Sequence, residues 1–443
     1  MQLNVLLLCN KPKSGNDANT IVDHIEALET YSEHKIWLYS NLGDFSSILD
    51  LNTFDVIIIH YSLSLFHNHY ISESAKEKIR AFDGLKVVFI QDEYRQINTV
   101  ISQLQYLKID VLFTCFPEEE MEKIYSKKAL PNLSLYNNLT GYIPERLLQQ
   151  ATLPKTQQRT LHLGYRGRKV PFWLGELAYE KWDIVEKWKH YVKHPAIKTD
   201  ISYKEEDRIY GSNWQKFLLS CKATLGVESG ASVMDFTGEL ERNIDIYQLL
   251  HPKTSFYKVQ DLFLKPYEDQ FKLNQISPRC FEAIALKTTL ILYEGDYSGI
   301  LRPHQHYIPL KKDYSNIDEV VSKLQDDDYL QNMAETAFKD IALNPEYSYQ
   351  HYVKKVSELI TQEWRKGSRK AVATPYTQQA FDKAIHYIPI KKKIYQLALP
   401  LYYKLPPKSK LVVKSMLRPK LLYFYCKIGI IRLIQKFRLK SMP

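Results

Sequence analysis

Residues Ile276–Asp296 read ISPRCFEAIALKTTLILYEGD. Ser277 followed by Pro278 is a helix start: a side-chain cap, then proline at the first helical position. The spacing predicts a helix to about Lys287, and Thr289–Tyr293 then reads as a short strand buried on both faces. A helix feeding such a strand is half of a repeating α/β unit, and the rest of the chain repeats it.

Upstream, short apolar runs stand at Leu3–Leu8, Lys35–Tyr39, Asp55–His60, Lys86–Ile90 and Asp110–Thr114. Stretches of helical spacing such as Thr20–Leu28 and Glu118–Tyr125 lie between them. The runs do not alternate, as expected of parallel strands covered on both sides. The pattern lapses over Pro144–Gln158 and resumes with strands at Thr160–Leu163, Ala223–Val227, Thr289–Tyr293 and near His306–Leu310. The expected fold class is therefore α/β, with two Rossmann-like domains and a helical basic C-terminal extension. The expected divisions are 1–145, a linker at 146–159, a second domain at 160–345, a closing helix at 346–365 and a basic amphipathic tail at 366–443. A chain of 443 residues suits two cores plus an extension.

Four clusters are candidates for chemistry. The amides opening the helix after Ser277 and Pro278 favour an anion, Arg279 adds a guanidinium for phosphate oxygens, and Glu282 suits ribose hydroxyls. The alternative there is a plain helix cap with a surface Arg279–Glu282 pair. In LHLGYRGRKV, Leu161–Val170, a strand runs into a turn carrying Arg166, Gly167, Arg168 and Lys169. Gly167 permits close backbone approach, and the cations match a diphosphate, or else form a solvated basic turn. After the strand ending at Val227, Glu228, Ser229 and Gly230 suit a close-fitting loop around a sugar or phosphate, or a turn capped by the glutamate. In the first half His60 ends one strand, and Asp92 and Glu93 follow another. Carboxyl ends of parallel strands line ligand crevices, so these three are the candidate catalytic bases facing an acceptor, with solvated turns as the alternative.

The PRCFEAIA stretch, Pro278–Ala285, resembles the C-terminal domain of GT-B glycosyltransferases, in particular bacterial spore-maturation CgeB-like proteins of the glycosyltransferase family 1 type. The resemblance covers roughly residues 1–365 and is clearest over 160–345. It implies a nucleotide-sugar donor and no separate cofactor. It further implies a leaving diphosphate held by helix amides and by a basic residue after the domain's first strand, Arg166 or Arg168, without a metal. The acceptor it implies is a glycan, a lipid-linked glycan or a cell-surface polysaccharide. Broader retaining families carry a Glu-x7-Glu pair. Glu282 matches the second member, but Asn274 stands at the first, with Glu228 a partial replacement, so retention and inversion stay open. A catalytically inactive GT-B-like protein for binding or assembly at a membrane is the alternative.

Charge is uneven. From Arg365 onward there are 19 Lys and Arg against one acid, Asp382, while the first 364 residues hold 41 Lys and Arg and 49 Asp and Glu. An acidic body makes nucleic acid an unexpected partner, whereas the tail suits an anionic membrane surface. Its longest apolar run, Leu421–Ile434, is cut by Lys427 and Arg432 and falls short of the roughly 20 residues that span a bilayer. Five dispersed cysteines argue against a disulfide framework, and LQDDDYL, Leu324–Leu330, reads as capping aspartates instead of metal ligands. The expected location is cytoplasmic, at the inner face of the cell membrane.

Overall fold

A computed structural model describes residues 1–13, 19–150, 152–268, 270–385 and Lys404. Six parallel strands form the first sheet: β1 (Asn4–Leu8), β2 (Lys35–Tyr39), β3 (Val56–Ile59), β4 (Leu85–Phe89), β5 (Val111–Thr114) and β6 (Ser134–Asn137). Their order is β2-β1-β3-β4-β5-β6. The second lobe contributes β7 (Leu161–Arg166), β8 (Thr199–Ser202), β9 (Cys221–Gly226), the two-residue strands β10 (Ser229–Gly230) and β11 (Asn274–Gln275), β12 (Thr289–Tyr293) and β13 (Tyr307–Leu310). Its parallel sheet runs β8-β7-β9-β12-β13, the order of the first five strands of its companion. β3, β4, β5 and β12 are buried at every residue, because helices cover both faces. Each sheet is doubly wound, with its strand order reversing between β1 and β3 or between β7 and β9, where a crevice opens at the carboxyl ends.

Two features join the lobes. Residues 231–273 form an insertion between β9 and β12, closed at its base by the antiparallel β10–β11 pair. Its Val233, Met234, Ile244 and Phe256 share one apolar cluster with Ile97, Val100 and Leu104 of the first lobe. Tyr349–Lys366, a helix following the second lobe, buries Tyr352, Val353, Val356, Ile360 and Trp364 in the cluster that includes Val5, Leu7, Val56 and Val87. Its Tyr352 hydroxyl ends a buried chain in which His24 Nε2 lies 3.1 Å away and His24 Nδ1 lies 3.0 Å from His60 Nε2.

The ordered fold runs past the expected end of the body. Residues 367–385 lie along the first lobe: Arg369 pairs with Asp110, the Val372 amide donates to Asp55, and Phe381 packs on Trp37 and Phe54. The first part of the basic amphipathic tail expected from residue 366 is thus packed on the first lobe, because Tyr376 and Phe381 find an apolar surface beside β2. The remaining tail, 386–443, lies outside the described residues apart from Lys404. No helix among the described residues is long and apolar enough to cross a membrane.

Candidate functional site

The switch point of the second lobe faces the loop after β4 of the first across a cavity of about 320 Å³. Asp92 and Tyr94 line it from the first lobe, and Arg168, Lys181, Ser229 and Arg279 from the second. The Pro278–Ala285 helix opens on this cavity. Ser277 caps it, accepting from the Arg279 amide at 3.4 Å, and Pro278 occupies the first helical position. Pro278 also abuts Gly141, where a Cβ would come within 3.0 Å of the proline ring. Thr140 Oγ1 donates to the Ile276 carbonyl at 2.5 Å, so the helix start is seated against the first lobe.

Three cations surround the helix start. Arg279 is exposed, stacks over the Trp214 ring at 5.6 Å and donates to the Arg166 carbonyl. Arg168 is exposed and forms no hydrogen bond or ion pair among the described residues. Lys181, half-buried on the Glu176–Tyr191 helix, completes the set. Burial pushes its pKa down to about 8, and Arg279 and Arg168 add repulsion against the opposing pull of Asp92. Three positive groups with few protein acceptors concentrate positive charge on one side of the cavity.

Other expected residues fall differently. Arg166 is committed to the fold: it pairs with Asp200 at 2.7 Å, donates to the Asp207 and Asp200 carbonyls, and stacks on Phe217. It holds β7 to β8 and also borders the smaller cavity of about 80 Å³ beside Arg279. Gly167 is where the chain passes the next helix, since a Cβ would lie 2.5 Å from the Lys181 carbonyl. Glu228 is buried and accepts from Asn274 Nδ2 at 2.7 Å and from the Tyr297 and Asp296 amides at 2.8 and 3.1 Å. Its carboxylate anchors the turn after β12 and does not line the cavity. Ser229 does line it, whereas Gly230 is dictated by backbone: φ is +101°, and a Cβ would collide with the Leu273 carbonyl. Glu282 is buried, accepts from Trp214 Nε1 at 2.8 Å, and borders a smaller cavity of about 80 Å³ with Arg208, Tyr210 and Arg279. Burial raises its pKa.

Two of the three expected bases point inward. His60 is fully buried in the relay with His24, and desolvation holds its pKa well below 6.5. Glu93 accepts from Thr114 Oγ1, Tyr125 Oη and the Cys115 amide at 2.5–2.6 Å, tying β5 to the loop after β4. Neither reaches the crevice, because each strand-end side chain turns toward an unmet polar group inside the lobe. Asp92 is exposed, accepts from the Tyr94 hydroxyl at 2.9 Å, and lies in the cavity wall.

A second cavity, about 420 Å³, adjoins the first and shares Asp92, Tyr94, Arg168 and Val170 with it. Phe66, Tyr70 and Trp173 give it aromatic walls, and Ser64 Oγ is buried there without a partner. Sequence reasoning missed Lys181 and these aromatics. Lys181 sits in AYEKW on a helix whose spacing gives no sign of a cleft, and the aromatics converge from two lobes. No group of metal-ligating side chains occurs among the described residues.

The fold and the paired crevices define the GT-B class: two Rossmann-like domains with the candidate site between them. No family model matches the chain, and no curated protein matches it. Among solved structures, an α-glucosyltransferase in complex with UDP and a 13-mer DNA containing an HMU base is similar at a TM-score of 0.50 and 11% identity, covering 81% of this chain and 99% of that one. A DNA-modifying β-glucosyltransferase is similar at 0.41 and 13%, covering 86% and 100%. An α1,3-fucosyltransferase follows at 0.40 and 9%, covering 85% and 94%. The first of these likenesses shows the fold.

Proposed function

We propose that the chain is a nucleotide-sugar-dependent glycosyltransferase. The observation that carries this reading is the convergence of Arg168, Lys181, Arg279 and the helix start at Ser277 on one interlobe cavity. A sugar leaves a nucleoside diphosphate as negative charge builds on the bridging oxygen. Fixed cations and amides in a cleft lower that barrier without a metal. Glu282, bordering the adjoining small cavity, supplies an acceptor for ribose hydroxyls. The acceptor substrate enters the aromatic-walled cavity, whose flat faces suit pyranose rings. Asp92, on the wall common to both cavities, takes the proton from the attacking hydroxyl.

The acceptor is a glycan or lipid-linked glycan. Residues 386–443, rich in Lys and Arg interleaved with Tyr, Leu and Ile, hold the enzyme peripherally at an anionic membrane on its cytoplasmic face. Titration with a panel of nucleoside diphosphates tests the donor site. Binding should weaken roughly 10–100-fold in Arg279→Ala and in Lys181→Ala, as expected for lost charge-assisted bonds. Asp92→Asn should bind donor normally and lose roughly a hundredfold or more in transfer rate. Absence of nucleotide binding in the unaltered protein would overturn the proposal.

A further inference from the structure

We infer that the insertion at 231–273 is a clamp that fixes the Asp92 loop against the donor cavity, with the Arg95–Glu241 pair as its fastening. The inference rests on the proposed transfer reaction for its kinetic consequence, but its geometry stands alone. The loop after β4 carries Asp92 and continues through Tyr94–Asn98. This stretch pairs edge to edge with the insertion. The Asp235 amide donates to the Tyr94 carbonyl at 2.9 Å, the Ile97 amide to the Asp235 carbonyl at 3.3 Å, and the Asn98 amide to the Phe236 carbonyl at 3.0 Å. Strand-like pairing between lobes sets register as well as distance.

Side chains reinforce it. Arg95 Nε donates to Glu241 Oε2 at 2.6 Å and its Nη2 donates to Oε1, a two-pronged pair with both side chains mostly shielded from solvent. The guanidinium also lies 5.9 Å from the ring centroids of Phe66 in the first lobe and Trp173 in the second. Glu241 is itself held in place. Its amide donates to Asp235 Oδ2 at 2.9 Å, while Asp235 Oδ1 accepts from the Gly238 amide at 2.7 Å, so one aspartate organises the turn that presents the glutamate. Asp235 is nearly inaccessible to solvent. Asp92 stands two residues before Tyr94, the first residue in this pairing. Its position relative to Arg168 and Arg279 is therefore set by the insertion and not by the first lobe alone. Glu241 lines neither cavity. It is a positioning residue.

Glu241→Gln in the full chain is the test, with two readouts. Hydrogen exchange at the Ile97, Asn98 and Asp235 amides should be slow in the unaltered protein and at least tenfold faster in Glu241→Gln. Turnover number should fall about tenfold while the KM for donor and the affinity for nucleoside diphosphate stay the same. The reversed pair, Arg95→Glu with Glu241→Arg, should recover slow exchange. Fast exchange at those amides in the unaltered protein, or unchanged exchange in Glu241→Gln, overturns the clamp. Equal loss of donor affinity and turnover also overturns it, since that marks a general weakening of the fold. If the unaltered protein transfers no sugar, the functional proposal fails and the exchange readout alone decides the clamp.

Discussion

Lys181 departs from the ordinary behaviour of a lysine in the cavity wall. With a pKa near 8, it is a cation at neutral pH and loses charge just above. A bound anion favours its charged form, so affinity for a nucleoside diphosphate should fall as pH rises from about 8. Lys181→Arg keeps the charge and should flatten that profile when binding is titrated between pH 7 and pH 9.5. Little in the sequence marks this lysine. The RGR turn was visible as a basic cluster, but which of its arginines is free was not: Arg166 lies at the end of a strand beside Asp200, and only the pairing of β7 with β8 brings that carboxylate within reach. The same limit applies to His60 and Glu93. Both sit at strand ends that open on a crevice, yet Ser62 and His24 in one case, and Thr114 and Tyr125 in the other, offer closer partners inside the lobe.

At the scale of elements, the strands most readable from sequence were those buried on both faces, although the partly exposed outer strand β2 was readable too. VIII in β3 and TLILY in β12 declare themselves by unbroken apolarity. SLYN in β6 and TDIS in β8 do not, because each is the outer strand of its sheet and keeps polar residues along a partly exposed surface. The helix start at Ser277 was legible because its cap and proline are local chemistry. The docking of the Tyr349–Lys366 helix was not, since it depends on His24 and His60, some 300 residues upstream. That relay makes a prediction about acid. His24 is pushed down to about 3 by burial and His60 lies well below 6.5, so both are neutral in the folded chain. The unfolded chain takes up protons below about pH 6.5 that the folded one does not, and stability should fall as pH drops through that range. The urea midpoint should decline between pH 7 and pH 5 more steeply than in a His24→Leu, His60→Leu double variant.

For the whole molecule, the balance of charge divides the chain into an acidic body and a basic extension, and residues 367–385 of that extension belong structurally to the body. A chain ending at residue 366 loses Tyr376 and Phe381 from the surface of Trp37 and Phe54. It should melt several degrees lower than a chain ending at residue 385, since removing buried aromatics costs roughly 3 kcal/mol or more. Equal melting temperatures would show that this contact contributes nothing. Vesicle flotation of the chain ending at 385 against the full chain separates membrane attachment from this packing: the attachment should go with residues 386–443.

The helix at Tyr349–Lys366 has one more consequence, for biosynthesis. A ribosome delivers all six strands of the first sheet well before the segment that covers one of their faces. Val5, Val56 and Val87 must therefore wait, partly uncovered, until some 200 further residues have emerged. The amino-terminal half is thus expected to need chaperone protection throughout translation of its companion.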